Sequence, residues 1–197
     1  MADPLYLSLW FPTFGEQEIL PRTLAIMRQF PFSPEHSGIG YMAVHAISFS
    51  EPPVFEQTFD DHADPSQAIA LATEFVHDDH AFEFEAVWDL WVPTGQYDTW
   101  VLQPRPVKFF AFGTGFEDGT AEERGHLEID FGLDFPFLAE GVDLAEIGEQ
   151  RIKENVAKLI TFTNAVEKNA GIRTRLLWSE SEENLAQKLV ARLQRVN

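Results

Sequence analysis

Residues 81–92 read AFEFEAVWDLWV. Side chains alternate across an extended chain. Phe82, Phe84, Ala86, Trp88 and Leu90 therefore share one side, and Glu83, Glu85, Val87, Asp89 and Trp91 share the other. Alternation this clean predicts a strand with one face on a core and the other turned to solvent or to something polar. Residues 126–135, HLEIDFGLDF, show the same pattern. Leu127, Ile129, Phe131, Leu133 and Phe135 fall on one face, and His126, Glu128, Asp130 and Asp134 on the opposite one. Two such strands imply a sheet with an apolar side under helices and an acidic side left open.

The rest of the chain supplies the helices and further strands. Leu5, Leu7, Leu9 and Phe11 alternate in a first strand. A helix follows, with Thr13 and Glu16 at capping-box spacing and Pro21 marking a kink or a later start. Two short β-like runs flank Ser50-Glu51-Pro52-Pro53, a turn. A second helix is expected over 65–77, with Asp64 as N-cap, Pro65 at the first position and Gln67 completing a box. The first half thus runs β-α-β-β-α-β, the order of a ferredoxin-like unit. The second half reads β-β-β-α-β-α. Its strands are TWVLQ, PVKFFAF and HLEIDF, followed by a helix over 144–169 capped by Asp143 and stopped by Gly171. The strand IRTRLLW and a last helix capped by Ser179 and Glu182 complete it. The expected fold is α+β and mainly antiparallel, with helices on one face. It forms a single domain, 1–197, of two halves (about 1–95 and 96–197) sharing a core.

Composition excludes several function classes. There is no cysteine, hence no disulfide scaffold, thiol catalysis or cysteine-ligated metal, which fits a cytoplasmic location. The opening MADPLYLSLW lacks a basic leader region, and no uncharged apolar run approaches the roughly 18 residues of a membrane span. The net charge is −18, split as −22 over residues 1–149 and +4 over 150–197. An acidic body argues against nucleic acid, whose phosphates must be neutralised, and against anionic membranes. It favours solubility or a basic protein partner. Homodimerisation through an exposed strand edge or a Phe-rich patch is compatible with both a binding and an enzymatic reading. No Walker loop, G-x-G-x-x-G, H-E-x-x-H or G-x-S-x-G is present, so no cofactor is implied.

Two groups of residues could carry chemistry. The tripeptide Asp-Asp-His occurs at 60–62 and again at 78–80. The intervening helix of about 12 residues spans roughly 18 Å, too far for one ion. The first copy suits a helix N-terminus, where negative charge is favoured. The second stands against the helix dipole, and His77 and His80 have a ligand-like i, i+3 spacing. The open sheet face is the second group: Glu83, Glu85, Asp89, Trp91, His126, Glu128, Asp130 and Asp134. Arg173 and Arg175 are expected beside it, pairing across the ladder with Glu128 and Asp130. Trp91, Tyr97 and Trp100 near those acids would suit a sugar or an organic cation. The preferred expectation is a soluble, non-enzymatic protein that engages a basic protein surface or cationic ligand through this face. The alternative is a metal- or carboxylate-dependent hydrolase using His126, Glu128 and Asp130.

Overall fold

The apolar rows of the strands decide which face receives the helices. The computed structural model describes residues 2–95, 99–180 and 184–194. The strands are β1 (Pro4–Trp10), β2 (Ile39–Ala46), β3 (Phe55–Ala63), β4 (His80–Thr94), β5 (Thr99–Phe112), β6 (Leu127–Leu133) and β7 (Thr174–Ser179). They form one antiparallel sheet in the order β3-β2-β4-β5-β6-β1-β7. The helices are α1 (Glu16–Met27), α2 (Pro65–Ala72), α3 (Thr120–Glu123), α4 (Phe135–Leu138), α5 (Glu146–Asn169) and α6 (Leu185–Gln194). Leu5, Leu7, Leu9, Phe82, Phe84, Trp88, Phe109, Leu127 and Ile129 are fully buried in one cluster. Ile19 and Ile26 of α1, Val156 and Phe162 of α5 and Leu189 of α6 pack into the same cluster. Among the described residues, no helix is long and apolar enough to cross a membrane.

The ferredoxin-like order is not what the sheet shows. A self-contained first half would seat β1 beside strands of its own half. Instead β1 pairs with β6 on one side and β7 on the other. Leu7 and Leu9 lie opposite Ile129 and Leu127, so the apolar rows of distant segments match as well as those of neighbours. The second half also differs, because TWVLQ and PVKFFAF are one strand. β5 pairs with β4 along its whole length and runs through Pro104 and Pro106. The Phe112 N–H donates to His126 O in the direction of β6. By the two-residue period, the missing N–H groups of Pro104 and Pro106 face that same side. β6 pairs only with Lys108–Ala111, so those two positions lie on an unpaired edge that tolerates proline and resists further pairing.

Smaller differences have local causes. Gly15, not Thr13, caps α1, and the helix runs through Pro21. Asp64 and Gln67 form the expected capping box with Pro65 at N1, but the α-helix ends at Ala72 and a 3₁₀ turn continues to Phe75. Ala145, not Asp143, precedes α5, and Gly171 follows it at φ +64 as the left-handed stop. Tyr97 and Glu182 lie outside the described residues.

β4 extends past β2, which would leave its backbone bare. Ser33 N–H donates to Val87 O, Lys158 Nζ to Asp89 O, and Asn155 bonds both the N–H and the C=O of Trp91. Asn155 is buried and also donates to Pro136 O. Its truncation strands three backbone groups at once. Asn155→Ala is expected to lower stability by about 2–3 kcal/mol in urea denaturation. A loss within the noise would mean that water replaces the amide.

Candidate functional site

Strand register assembles the open face in two rows. The first runs Thr58, Tyr41, Glu85, Lys108, Asp130, Tyr6 and Trp178 from β3 to β7. The second runs Glu56, Ala43, Glu83, Phe110, Glu128, Ser8 and Leu176. Glu83, Glu85, Glu128 and Asp130 thus share one face, as their alternation requires. The sequence reading missed Glu56, Tyr41 and Lys108. Lys108, a lone cation in the apolar PVKFFAF, was the visible signal.

Glu83 is nearly buried. Lys108 Nζ lies 2.7 Å from its Oε1 and 3.9 Å from Glu85 Oε2, and His45 Nε2 is 3.5 Å from the second Glu83 oxygen. Burial pulls the Lys108 ammonium pKa down, but Glu83, Glu85 and Asp130 outweigh it and leave the group above the ordinary lysine value. Tyr41 donates to Glu56 at 3.2 Å. Burial, then that carboxylate and its neighbours, push the phenol up to about 12. Tyr6 is likewise raised, by burial and then by Asp130 and Glu128.

Glu128 is fully buried. Arg124 donates to its Oε1 through Nε at 3.0 Å and also through Nη2. The guanidinium sits 5.2 Å over the Phe112 ring and 5.9 Å over Phe110. Glu128 Oε2 is buried with no hydrogen-bond partner. Burial pushes this carboxyl up and Arg124 pulls it back, leaving it above its ordinary value. Arg124 comes from the segment between β5 and β6. That segment lies over one end of the face, packing Phe116 and Ala121 on Phe112, with Phe49 alongside. Glu117 fastens it by accepting from Ser48 Oγ and Phe49 N–H.

Other predicted members are drawn elsewhere. Arg151 stacks 3.7 Å above the Trp91 ring, so Trp91 belongs to the contact with α5. Asp89 faces Lys158 through its backbone oxygen. Asp134 is the N-cap residue of α4, and its carboxylate accepts from Asp3 N–H. The expected pairing of Arg173 and Arg175 with Glu128 and Asp130 does not occur. β1 separates β7 from β6, and Arg175 lies opposite Leu9, on the apolar side of the sheet. Arg175 instead meets Glu167 at 2.7 Å and Asn164 at 3.2 Å.

The three residues of the hydrolase alternative have separate partners. His126 accepts from Phe11 N–H at 3.0 Å and stacks on Phe14 at 4.4 Å. Burial pulls its pKa down. Asp130 accepts from Gly132 N–H, where the backbone turns at φ +75. Among the described residues, only His77, Asp78 and Asp79 bring three ligand-type atoms within 4.8 Å of one another. His77 Nδ1 lies 2.5 Å from Asp79 Oδ1, which raises the imidazole pKa. His80 is committed to Phe75 O at 2.7 Å. The turn itself is a junction: Asp78 O and His80 O accept from Gly115 and Gly113, and Asp79 O accepts from Ile47.

No family's sequence profile matches the chain, and no curated protein or solved structure is significantly similar to it.

Proposed function

We propose that the protein is a non-enzymatic binding module that receives a basic protein surface on the open face of its sheet. The observation that carries this is the charge of the two rows. Glu56, Glu83, Glu85, Glu128 and Asp130 stand in them with Lys108 as the one cation. Glu83 and Glu128 are committed to internal pairs. Glu56, Glu85 and Asp130 are left to face a ligand, with Tyr41 between the first two and Tyr6 on the far side of Asp130. Carboxylates on three strands, β3, β4 and β6, give a flat field suited to a cationic surface, and complementary charge governs encounter rate and specificity.

The test uses a folded, strongly basic protein as probe. Association is expected to weaken steeply with salt, because exposed charges are screened within about 10 Å at 0.1 M. The double reversal Glu56→Lys/Glu85→Lys should weaken it by about tenfold or more. Glu35→Lys/Glu74→Lys, with the same net charge but off this face, should change it little. Equal losses in the two variants would reduce the effect to net charge and remove the face from the account.

A further inference from the structure

We propose that the groove where the end of β1 meets the start of β7 binds a small organic anion, a carboxylate or phosphate carried on an apolar body. The groove encloses about 510 Å³ and is lined by Trp10, Phe11, His126, Arg173, Arg175 and Leu176, with Thr174 between the last three. Its chemistry is opposite in sign to the acidic rows.

The donors are fixed by the fold. Phe11 N–H occupies His126 Nδ1, so the neutral ring carries its proton on Nε2. Phe14 stacks within 5° of parallel and holds the ring plane. Arg173 N–H donates to Trp10 O at 2.7 Å, which pins the residue to the rim. Among the described residues its guanidinium has no carboxylate within 4 Å, whereas Arg175 is held by Glu167 and Asn164. Arg22, also without such a partner, lies 5.1 Å from the Phe11 ring. Arg173 and His126 both line the groove, and an arginine fork together with an imidazole N–H matches the paired oxygens of a carboxylate or phosphate. Trp10 and Leu176 offer apolar surface to the rest of the ligand. The distant acids of the chain are screened at physiological salt, so the local donors decide.

The experiment is an amide and indole NMR titration at constant ionic strength, with benzoate, phenyl phosphate and inorganic phosphate as probes. Saturable shifts are expected at Trp10, Phe11 and Thr174 with benzoate or phenyl phosphate. The tighter of the two identifies the head group, and inorganic phosphate should bind more weakly for want of an apolar body. Arg173→Ala should weaken binding by about tenfold or more, and Arg173→Lys by less, since it keeps charge but loses the fork. Arg173 is exposed, so the remaining spectrum should superimpose. Arg105, another exposed arginine with no carboxylate within 4 Å, lines a different pocket; Arg105→Ala should leave affinity unchanged. Absence of saturation with both organic probes overturns the proposal. So does an Arg173→Ala variant that binds as before, or an equal loss in Arg105→Ala.

Discussion

Gly113→Ala is expected to destabilise the protein by about 3 kcal/mol, the upper end for overpacking, when measured by urea denaturation. A Cβ there would lie 2.1 Å from Asp78 O, 2.6 Å from Asp78 C and 2.8 Å from His80 O. All three are backbone atoms, so no rotamer change relieves the clash. They are also held in place: Gly113 donates to His80 O, Gly115 to Asp78 O and Ile47 to Asp79 O. The Asp78-Asp79-His80 turn and the glycine-rich segment after β5 are therefore one junction. Gly119→Ala is the control. Gly119 has φ +91 and nothing within 4 Å of its Cβ position, so alanine there meets only left-handed strain, about 1 kcal/mol. Comparable losses at the two sites would mean that the junction yields. His77→Ala should leave stability unchanged within the error of the measurement, since its side chain is exposed.

Arg124→Ala is expected to cost about 3–5 kcal/mol at neutral pH, because it strands the buried Glu128 carboxylate. The loss should depend on pH in a defined direction. Burial holds the Glu128 pKa above its unfolded value, so its contribution favours the fold most below the ordinary carboxylate pKa. That contribution fades as pH rises through the raised folded value. Without Arg124 the downward pull is gone, the folded pKa rises further, and the window of lost stability extends upward. Denaturation near the ordinary carboxylate pKa should show a small difference from the parent, and at neutral pH a large one. Glu128→Gln in the Arg124→Ala background should recover most of the neutral-pH loss, since the amide carries no charge. A loss that is the same at both pH values would show that Arg124 acts by packing on Phe110 and Phe112 instead.

Legibility differed by element. The Asp64–Gln67 capping box could be read directly, because every group in it lies within three residues. The alternations in β4 and β6 placed Glu83, Glu85, Glu128 and Asp130 on one face for the same reason. Local rules divide β5 in two, because proline is a breaker. The unpaired edge that tolerates Pro104 and Pro106 depends on how short β6 is. Arg124 was invisible as the partner of Glu128, since its approach depends on the segment between β5 and β6 folding back over Phe112. Alternation makes His126 a companion of Glu128, but its acceptor nitrogen is taken by Phe11, whose position follows from β1 pairing with β6.

Sequence alone determined which residues alternate, where the acids concentrate, and that the sheet would have a buried and an open side. Those properties are periodic and short-range. Strand order was decided only in three dimensions, because several apolar rows of similar length can pair equally well by local criteria. The partners of the β7 arginines followed from that order. With β1 between β6 and β7, Arg173 and Arg175 were carried away from Glu128 and Asp130. Arg175 joined Glu167, and Arg173 was left at the mouth of a groove. The same placement turned one expected salt-bridge network into two surfaces of opposite sign.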